Sequence, residues 1–156
     1  MSLTVGQEAP DFTLKSSDME EVSLSSFKGE KNVVLLFVPF AFTGVCTTEL
    51  CTTSENLGAY SDLNAEVFGI SGDSPFSLKN WKQKEGITIT LLSDYNHGTT
   101  KAYGAAYEDF LGFSDVAKRS AFVVDKAGVV QYAEVLESAG DLPNFDAIQE
   151  ALKGLA

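Results

Sequence analysis

The alternation of apolar and polar residues predicts a chain in which short strands and helices follow one another. The strongest strand signal lies at residues 33–38, where six consecutive apolar positions leave no polar face. Such a segment is typical of a central strand that is covered on both sides. Weaker alternation over residues 10–27, with a polar turn at 16–18, predicts an N-terminal β-hairpin extension. A helical turn that ends at Gly29 then leads into the central strand.

The rest of the pattern repeats strand and helix and then changes to a hairpin. Further strands are predicted at residues 66–70, 88–92, 120–124 and 129–135. Helices are predicted to begin after Thr43, at Ser74-Pro75, at Gly98 and near Asp141-Leu142-Pro143, the first three ending or breaking at Gly58, Gly86 and Gly104. Residues 125–128, Asp-Lys-Ala-Gly, are typical of the turn of a β-hairpin. Residues 107–116 have no clear period and indicate an irregular loop.

These elements predict a single α/β domain over residues 1–156. Parallel strands joined by helices, followed by an antiparallel hairpin and a closing helix, give a central mixed β-sheet flanked by helices. In such folds, functional sites gather at the carboxyl ends of the parallel strands. The central strand ends at Pro39, and a cysteine, Cys46, follows at the start of the next predicted helix. The pattern therefore places Cys46 at the edge of the sheet where a site is expected.

Charge and composition exclude several classes of partner. The 156 residues carry a formal net charge of −11, which repels nucleic acid and anionic membrane surfaces. The longest apolar run, residues 33–42, is too short to cross a bilayer, and the N-terminus does not resemble a secretory signal. We therefore expect a reducing cytoplasm, where two nearby cysteines are redox-active or inert rather than permanently bonded. One histidine and two cysteines are too few for a four-ligand zinc site.

Cys46 is the leading candidate for chemistry. The first turn of a helix has unpaired N–H groups and the positive end of the helix dipole, both of which favour an anion. The anion that a cysteine supplies is a thiolate, the nucleophilic form of the residue. Read without its neighbours, however, Cys46 is also compatible with an inert packing residue.

The segments around Cys46 resemble the peroxiredoxins, which are thiol peroxidases with a thioredoxin-like fold. Pro39-x3-Thr43-x2-Cys46 followed by Glu49 is similar to the family signature. Residues 5–14 and the strand that begins Arg119-Ser120-Ala121 extend the resemblance over nearly the whole chain. The block Pro-Phe-Ala-Phe-Thr-Gly-Val-Cys resembles the alkyl hydroperoxide reductase E-like branch, and the spacing to a second cysteine resembles the bacterioferritin-comigratory (Q) branch.

The resemblance implies a role for each matching residue. Cys46 corresponds to the peroxidatic cysteine, and Thr43 to the hydroxyl that bonds the thiolate and the substrate. Arg119 corresponds to the guanidinium near the sulfur, Pro39 to the residue that shields the pocket, and Glu49 to a carboxylate that orients an arginine. The family activity is the reduction of hydrogen peroxide or organic hydroperoxides without a metal or organic cofactor. The implied partners are a second copy of the chain and a thioredoxin-, glutaredoxin- or low-molecular-weight-thiol-type reductant.

The chemistry of peroxide reduction agrees with these assignments. Splitting an O–O bond requires an ionised nucleophile and hydrogen-bond donors placed where charge grows on the departing oxygen. Backbone N–H groups of the turn, the Thr43 hydroxyl and Arg119 can supply such donors. Arginine suits the role because it stays charged at any working pH.

The second cysteine, Cys51, is the candidate resolving thiol, but helix geometry holds it away from Cys46. Positions five apart on a helix have Cα atoms roughly 8 to 9 Å apart, whereas disulfides rarely tolerate more than about 7 Å. An intramolecular Cys46–Cys51 disulfide therefore requires the first turns of the helix to unwind. Four threonines, at 47, 48, 52 and 53, are mediocre helix formers and favour such unwinding. The alternative is an inert Cys51, with resolution by an external thiol.

Each candidate also has an ordinary structural interpretation. Thr43 can be a helix N-cap, Pro39 a strand end, Glu49 an exposed helix residue and Arg119 a surface charge. His97 is interpreted as a loop residue rather than a base. The phenylalanines at 40, 42, 110 and 113 are compatible with core, pocket wall or interface, and we favour a partly exposed apolar collar. Such collars mark contacts, and the resemblance implies that two copies meet at this end.

Two other functions remain as alternatives. A thioredoxin-type oxidoreductase has a Cys-x2-Cys pair at the helix start, and the Cys-x4-Cys spacing here differs from it. A non-catalytic redox sensor or interaction module on the same fold would use oxidation of Cys46 to reshape a surface. Such a sensor is distinguished by the absence of steady-state peroxide consumption with excess reductant.

Overall fold

A seven-stranded mixed sheet organises the molecule, which we describe from a computed structural model over residues 3–155. The strands are β1 Thr13–Ser16, β2 Glu21–Ser23, β3 Asn32–Phe37, β4 Ala65–Ser71, β5 Thr90–Ser93, β6 Ser120–Val124 and β7 Val130–Val135. The helices are α1 Gly44–Glu55, α2 Leu57–Asp62, α3 Pro75–Glu85, α4 Gly98–Ala102 and α5 Phe145–Lys153, and a 3-10 turn spans Leu24–Phe27. The strand order is β2-β1-β5-β4-β3-β6-β7.

The predicted mixed sheet is confirmed. β3, β4 and β5 are parallel neighbours, and the remaining pairs, including the β1–β2 hairpin and the β6–β7 hairpin, are antiparallel. Residues 33–37 of β3 are all buried, as their unbroken apolar sequence predicts, and the polar first residue, Asn32, is buried as well. Val34 and Leu36 pack into a core beneath α1, α3 and α5, whereas Leu35 and Phe37 pack into a second core on the opposite face.

Three predicted boundaries are wrong, each for a local reason. The helix after Thr43 ends at Glu55 rather than near Gly58, because the Asn56 side chain donates to the carbonyl of Thr52 and caps it; Gly58 lies within α2. The last helix begins only at Phe145, since Asn144 accepts from the Ala147 N–H and acts as its N-cap. The strand predicted at 88–92 begins at Thr90, because the Thr88 N–H donates to a side chain of α1 instead.

Helix α1 lies close to the sheet because a glycine faces it. A Cβ atom at Gly69 on β4 would lie 3.3 Å from the side chain of Leu50 and 2.8 Å from that of Leu91. Leu50 is fully buried at this contact. The absence of a side chain at position 69 therefore fixes the depth at which the middle of α1 packs.

The helices of residues 3–155 include none with the length and apolar character needed to span a membrane.

Candidate active site

Cys46 occupies the first turn of α1, just beyond the carboxyl end of β3. Thr43 precedes the helix in an extended conformation, and the Thr47 N–H donates to its carbonyl at 3.0 Å. Cys46 is only 1% exposed, so its thiol is almost withdrawn from solvent. The β3-to-α1 connection thus delivers a cysteine to a helix N-terminus, where an anion is favoured.

Arg119 reaches Cys46 because its strand is antiparallel to β3. Ser120, the first residue of β6, pairs with Phe37, the last residue of β3, so Arg119 lies beside the β3-to-α1 connection. Its Nη2 donates to the Cys46 Sγ at 3.2 Å, and its Nη1 donates to Oε1 of Glu49 at 2.8 Å. Both charged residues are buried, so the interpretations of Arg119 as a surface charge and Glu49 as an exposed helix residue are wrong.

Burial controls the ionisation of Glu49. Loss of solvent raises the pKa of its carboxyl to about 7, and Glu134 adds to the rise, although the hydrogen bond and charge of Arg119 act in the opposite direction. Its Oε2 has no hydrogen-bond partner among the described residues. The Glu49 carboxyl therefore changes its charge near neutral pH, next to the arginine that contacts Cys46.

Burial has the opposite effect on the pKa of Arg119, but its neighbours outweigh that effect. Burial alone would lower it, but the hydrogen bond to Glu49 and the charges of Cys46 and Glu49 more than offset that effect and raise it above its ordinary value. The guanidinium is a permanent cation at this site.

A backbone carbonyl completes the surroundings of Arg119. The carbonyl oxygen of Ala139 accepts from Nε at 3.2 Å and from Nη2 at 2.9 Å. Sequence reasoning missed this contact, and no signal in the sequence could have revealed it, because every residue carries the same carbonyl.

Thr43 and Pro39 lie where the β3-to-α1 connection turns. The Thr43 side chain makes no cap hydrogen bond to α1; its hydroxyl instead donates to the carbonyl of Phe40 at 2.8 Å. In this arrangement the hydroxyl is not bonded to Cys46. Pro39 is buried and contributes, with Phe40 and His97, to the wall of a cleft of about 510 Å³. His97 has a positive φ of 62° and precedes α4, consistent with its interpretation as a loop residue.

Cys51 lies on the side of α1 that faces α3, away from Arg119. It is partly buried, and its Sγ donates to the carbonyl of Glu85 at 3.5 Å. Burial together with the charges of Glu85 and Glu55 raises its thiol pKa. Both cysteines are free thiols, and the helix directs them to different partners.

A second contact between α1 and α3 was not predicted. The indole Nε1 of Trp81 donates to the hydroxyl of Thr47 at 3.0 Å, and the Trp81 ring is fully buried. Phe42 packs against this ring, with 6.4 Å between centroids, so it does not belong to the predicted collar. The ring of Phe40 does pack against those of Phe110 and Phe113, with 6.1 and 6.0 Å between the ring centroids.

Comparison with known proteins assigns the chain to a family. The model of the AhpC/TSA family matches residues 5–133. The chain is a peroxiredoxin of the AhpC/TSA family. It is 38% identical over 155 residues to alkyl hydroperoxide reductase E of Mycobacterium tuberculosis, covering 98% of each protein. It is 42% identical over 127 residues to chloroplastic peroxiredoxin Q of Triticum aestivum, covering 81% of this chain and 57% of that protein.

Solved structures agree with the fold. A peroxiredoxin-like protein from Aquifex aeolicus superimposes with a TM-score of 0.90 at 25% identity, covering 100% of this chain and 90% of the other. The predicted thioredoxin-like fold and the resemblance to the reductase E-like and Q branches are confirmed. Peroxiredoxins are thiol-dependent peroxidases, so this chain is a peroxidase oxidoreductase.

Proposed function

We propose that Cys46 is the nucleophile of this peroxiredoxin, that Arg119 acts on it directly, and that Glu49 acts on it through Arg119. The observation that carries the proposal is the 3.2 Å hydrogen bond from a buried guanidinium to the Cys46 sulfur. A cation held there lies beside the atom that attacks the peroxide and stabilises the negative charge involved in the attack. Glu49 holds the other side of the same guanidinium. Pro39 is buried directly after β3, and we assign to it the shielding of the site from solvent.

The first step transfers an oxygen atom to sulfur. The Cys46 thiolate attacks the terminal oxygen of a hydroperoxide, an S–O bond forms and the O–O bond breaks. Sulfur is oxidised by two electrons to the sulfenic acid, and the departing alkoxide or hydroxide takes up a proton to leave as an alcohol or water. Arg119 is positioned to stabilise the negative charge that moves from sulfur to the departing oxygen.

Thr43 supports the same step once its hydroxyl turns. In the resting arrangement the hydroxyl donates to the Phe40 carbonyl. Rotation about a single side-chain torsion redirects a threonine hydroxyl at little cost. We assign it to the peroxide, whose oxygens can accept the hydrogen bond that the carbonyl gives up.

The second step joins Cys46 to Cys51 in an intramolecular disulfide. The Cys51 thiol attacks the sulfenic sulfur, the S–O bond breaks, and water leaves. Because the two cysteines face different neighbours along one helix, the first turns of α1 must unwind before the sulfurs meet. An external dithiol of thioredoxin or glutaredoxin type, or a low-molecular-weight thiol, then reduces the disulfide to two thiols.

The cellular setting follows from the same chemistry. A reducing cytoplasm supplies the thiols that the cycle consumes. Assembly as a homodimer is supported by the aromatic cluster of Phe40, Phe110 and Phe113, since Phe113 and Leu111, which lies in the turn between Phe110 and Phe113, are 59% and 79% exposed. Large exposed apolar side chains in one patch are typical of a protein contact.

Rapid mixing of the reduced protein with hydrogen peroxide tests the assignment. Cys46→Ser removes the nucleophile, so its rate of peroxide loss is expected to fall to that of the buffer. Cys51→Ser is the matched control, because it keeps the nucleophile and is expected to react at the wild-type rate and stop at a sulfenic acid that a dimedone-type probe traps.

Three outcomes contradict the proposal. A wild-type rate no faster than that of a free thiol removes Cys46 as a peroxidatic residue. Two free thiols, or only an intermolecular bond, after stoichiometric peroxide removes Cys51 as the intramolecular resolving residue. Oxidation without steady-state peroxide loss in excess reductant would identify a redox sensor instead.

A further inference from the structure

The Arg119 guanidinium is held along two edges. It has five N–H donors in a fixed plane. Nη1 and Nη2 donate to Glu49 and to the Cys46 sulfur, whereas Nε and Nη2 together donate to the carbonyl oxygen of Ala139. With Glu49 alone, the guanidinium could pivot about one hydrogen bond. The Ala139 carbonyl supplies the second point that fixes its plane relative to the sulfur.

The segment that carries this carbonyl is tied to Arg119 by its backbone as well. Immediately after β7, the Leu136 N–H donates to the Arg119 carbonyl at 2.9 Å. The chain then turns at residues 138–141, where the Asp141 N–H donates to the Ser138 carbonyl at 3.2 Å. Ala139 and Gly140 are therefore the two central residues of a β-turn that lies over the guanidinium.

The type of this turn decides where the Ala139 carbonyl points. Types I and II of β-turn differ by a reversal of the central peptide, and type II requires a positive φ at the third residue. Gly140, the third residue, does not have a positive φ, in contrast to Gly128 with a φ of 85°. The central peptide is therefore not in the type II orientation, and its carbonyl points to Arg119. Reversal of this one peptide would withdraw both hydrogen bonds from the guanidinium.

We propose that Ala139 is a positioning residue of the peroxidase site, and that its carbonyl, held by the turn type at 138–141, aims Arg119 at the Cys46 sulfur. The inference rests on the roles of Cys46 and Arg119 in the proposed function. It assigns part of the catalytic geometry to the connection between β7 and α5, which contributes no side chain to the site.

Turn chemistry allows the carbonyl to be moved without removing it. Ala139→Pro creates a Pro-Gly pair, the combination that favours type II turns. No hydrogen bond among residues 3–155 uses the Ala139 N–H, so proline removes none there. The double variant Ala139→Pro with Gly140→Ala is the matched control, because alanine resists the positive φ that type II requires.

The control substitution fits the structure. A Cβ at Gly140 meets only the Ser138 Oγ, at 3.7 Å, which is an ordinary contact. Gly140→Ala alone is therefore expected to leave the reaction with peroxide within about twofold of wild type.

The expected result is a loss in Ala139→Pro that the second substitution reverses. In Ala139→Pro, the second-order rate of Cys46 with hydrogen peroxide and its rate of alkylation by iodoacetamide both fall about tenfold, because the misaimed cation no longer lies beside the reacting sulfur. In the double variant, both quantities return to the values of Gly140→Ala.

Two results would overturn the inference. If all three variants match the wild type, the carbonyl does not position Arg119. If Ala139→Pro and the double variant are equally impaired, the proline ring rather than the turn type causes the loss. The alkylation rate is measured without peroxide, so it tests the carbonyl even if the wild type reduces peroxide slowly, which would refute the proposed function separately.

Discussion

The fold buries the carboxyl group of Glu49 and places one cation, Arg119, beside it. Its hydrogen bond to Arg119 does not compensate for lost hydration, since the pKa of the carboxyl rises to about 7 despite the adjacent guanidinium. This balance agrees with the general finding that burial of an ion pair costs as much as the attraction returns. What the pair contributes is placement of Arg119, at some expense in stability.

The pH dependence of folding is expected to reveal this expense. Because the folded-state pKa lies above the ordinary value, folded Glu49 keeps its proton between pH 4.5 and about 7 while the unfolded chain has lost it. The folded state then binds more protons, so the free energy of unfolding falls as pH rises through that window, by roughly 3 kcal/mol. Denaturant unfolding of wild type and Glu49→Gln at a series of pH values measures the difference.

Glutamine cannot titrate, so the Glu49→Gln curve is expected to lack this fall. Its amide leaves a donor where Oε2 has no partner, which lowers stability by an amount independent of pH. Only the difference in slope therefore tests the prediction. Parallel curves for the two proteins would show that Glu49 does not titrate in the window.

At the residue scale, sequence reasoning found the side chains and missed the backbone. Cys46, Arg119 and Glu49 stand at motif spacings, and the structure brings all three together. The hydroxyl of Thr43 has a different partner, Phe40, because a short polar side chain can choose among several nearby acceptors. The Ala139 carbonyl has no counterpart in the sequence, since only the path of the chain determines where it points.

Helix α1 has two faces with separate tasks. Cys46, Glu49 and Leu50 face the core and Arg119. Residues one turn apart on the other face, Thr47 and Cys51, bond to Trp81 and to the Glu85 carbonyl of α3. Polar contacts rather than an apolar stripe hold that second face, so the sequence periodicity of α1 did not reveal its contact with α3.

The fluorescence of Trp81 is expected to report disulfide formation. Trp81 is the single tryptophan of the chain, is fully buried and donates to Thr47. When the first turns of α1 unwind, the indole loses this partner and gains contact with water, so its emission shifts to longer wavelength after peroxide is added. Cys51→Ser, which stops at the sulfenic acid, is expected to show no such shift.

Removal of the Thr47 hydroxyl is expected to speed the same step. Thr47→Val keeps the shape of the side chain and leaves the indole N–H unpaired in the closed helix. A lost hydrogen bond of about 1 kcal/mol raises the population of the unwound helix about fivefold. The rate of disulfide formation, followed by free-thiol count, should rise by that factor while the reaction of Cys46 with peroxide stays unchanged. Equal disulfide rates in the two proteins would exclude the hydrogen bond as a restraint.

Boundaries of elements were less predictable than their order. The order of strands and helices follows from unbroken apolar runs and capping residues, and the structure confirms that order. The end of α1 at Glu55 depends on the hydrogen bond from the Asn56 side chain to the Thr52 carbonyl. Asparagine forms such a bond only in some contexts, so the sequence does not predict it. The start of β5 at Thr90 depends on Ser54 of α1, which lies far away in sequence.

The whole molecule combines a strongly acidic composition with the partly exposed aromatic cluster around Phe113. A net charge of −11 opposes association of identical copies, so a contact between two copies has to bury enough apolar surface to overcome it. The cluster of Phe40, Phe110 and Phe113 offers such a surface, with Leu111 at its most exposed point.

Substitution at this patch is expected to change the state of assembly. Phe113→Asp places a charge in the proposed contact, so the molar mass measured by light scattering should fall from that of a dimer to that of a monomer. Met19→Asp, at the exposed turn of the β1–β2 hairpin, is the matched control and should leave the mass unchanged. High salt should favour the dimer, because it screens the repulsion between acidic copies. A monomeric wild type, or a dimeric Phe113→Asp, would contradict the assignment of this patch.

The glycine beneath α1 determines which part of the helix can travel. Leu50 lies between the two cysteines and is packed over Gly69, so we expect it to act as a fixed pivot in the proposed disulfide step. The residues before the pivot carry Cys46 and can swing, whereas Cys51 lies after it and stays beside α3. The proposed Cys46–Cys51 disulfide would therefore form at the position of Cys51 beside α3, and a reductant would need to recognise only that position.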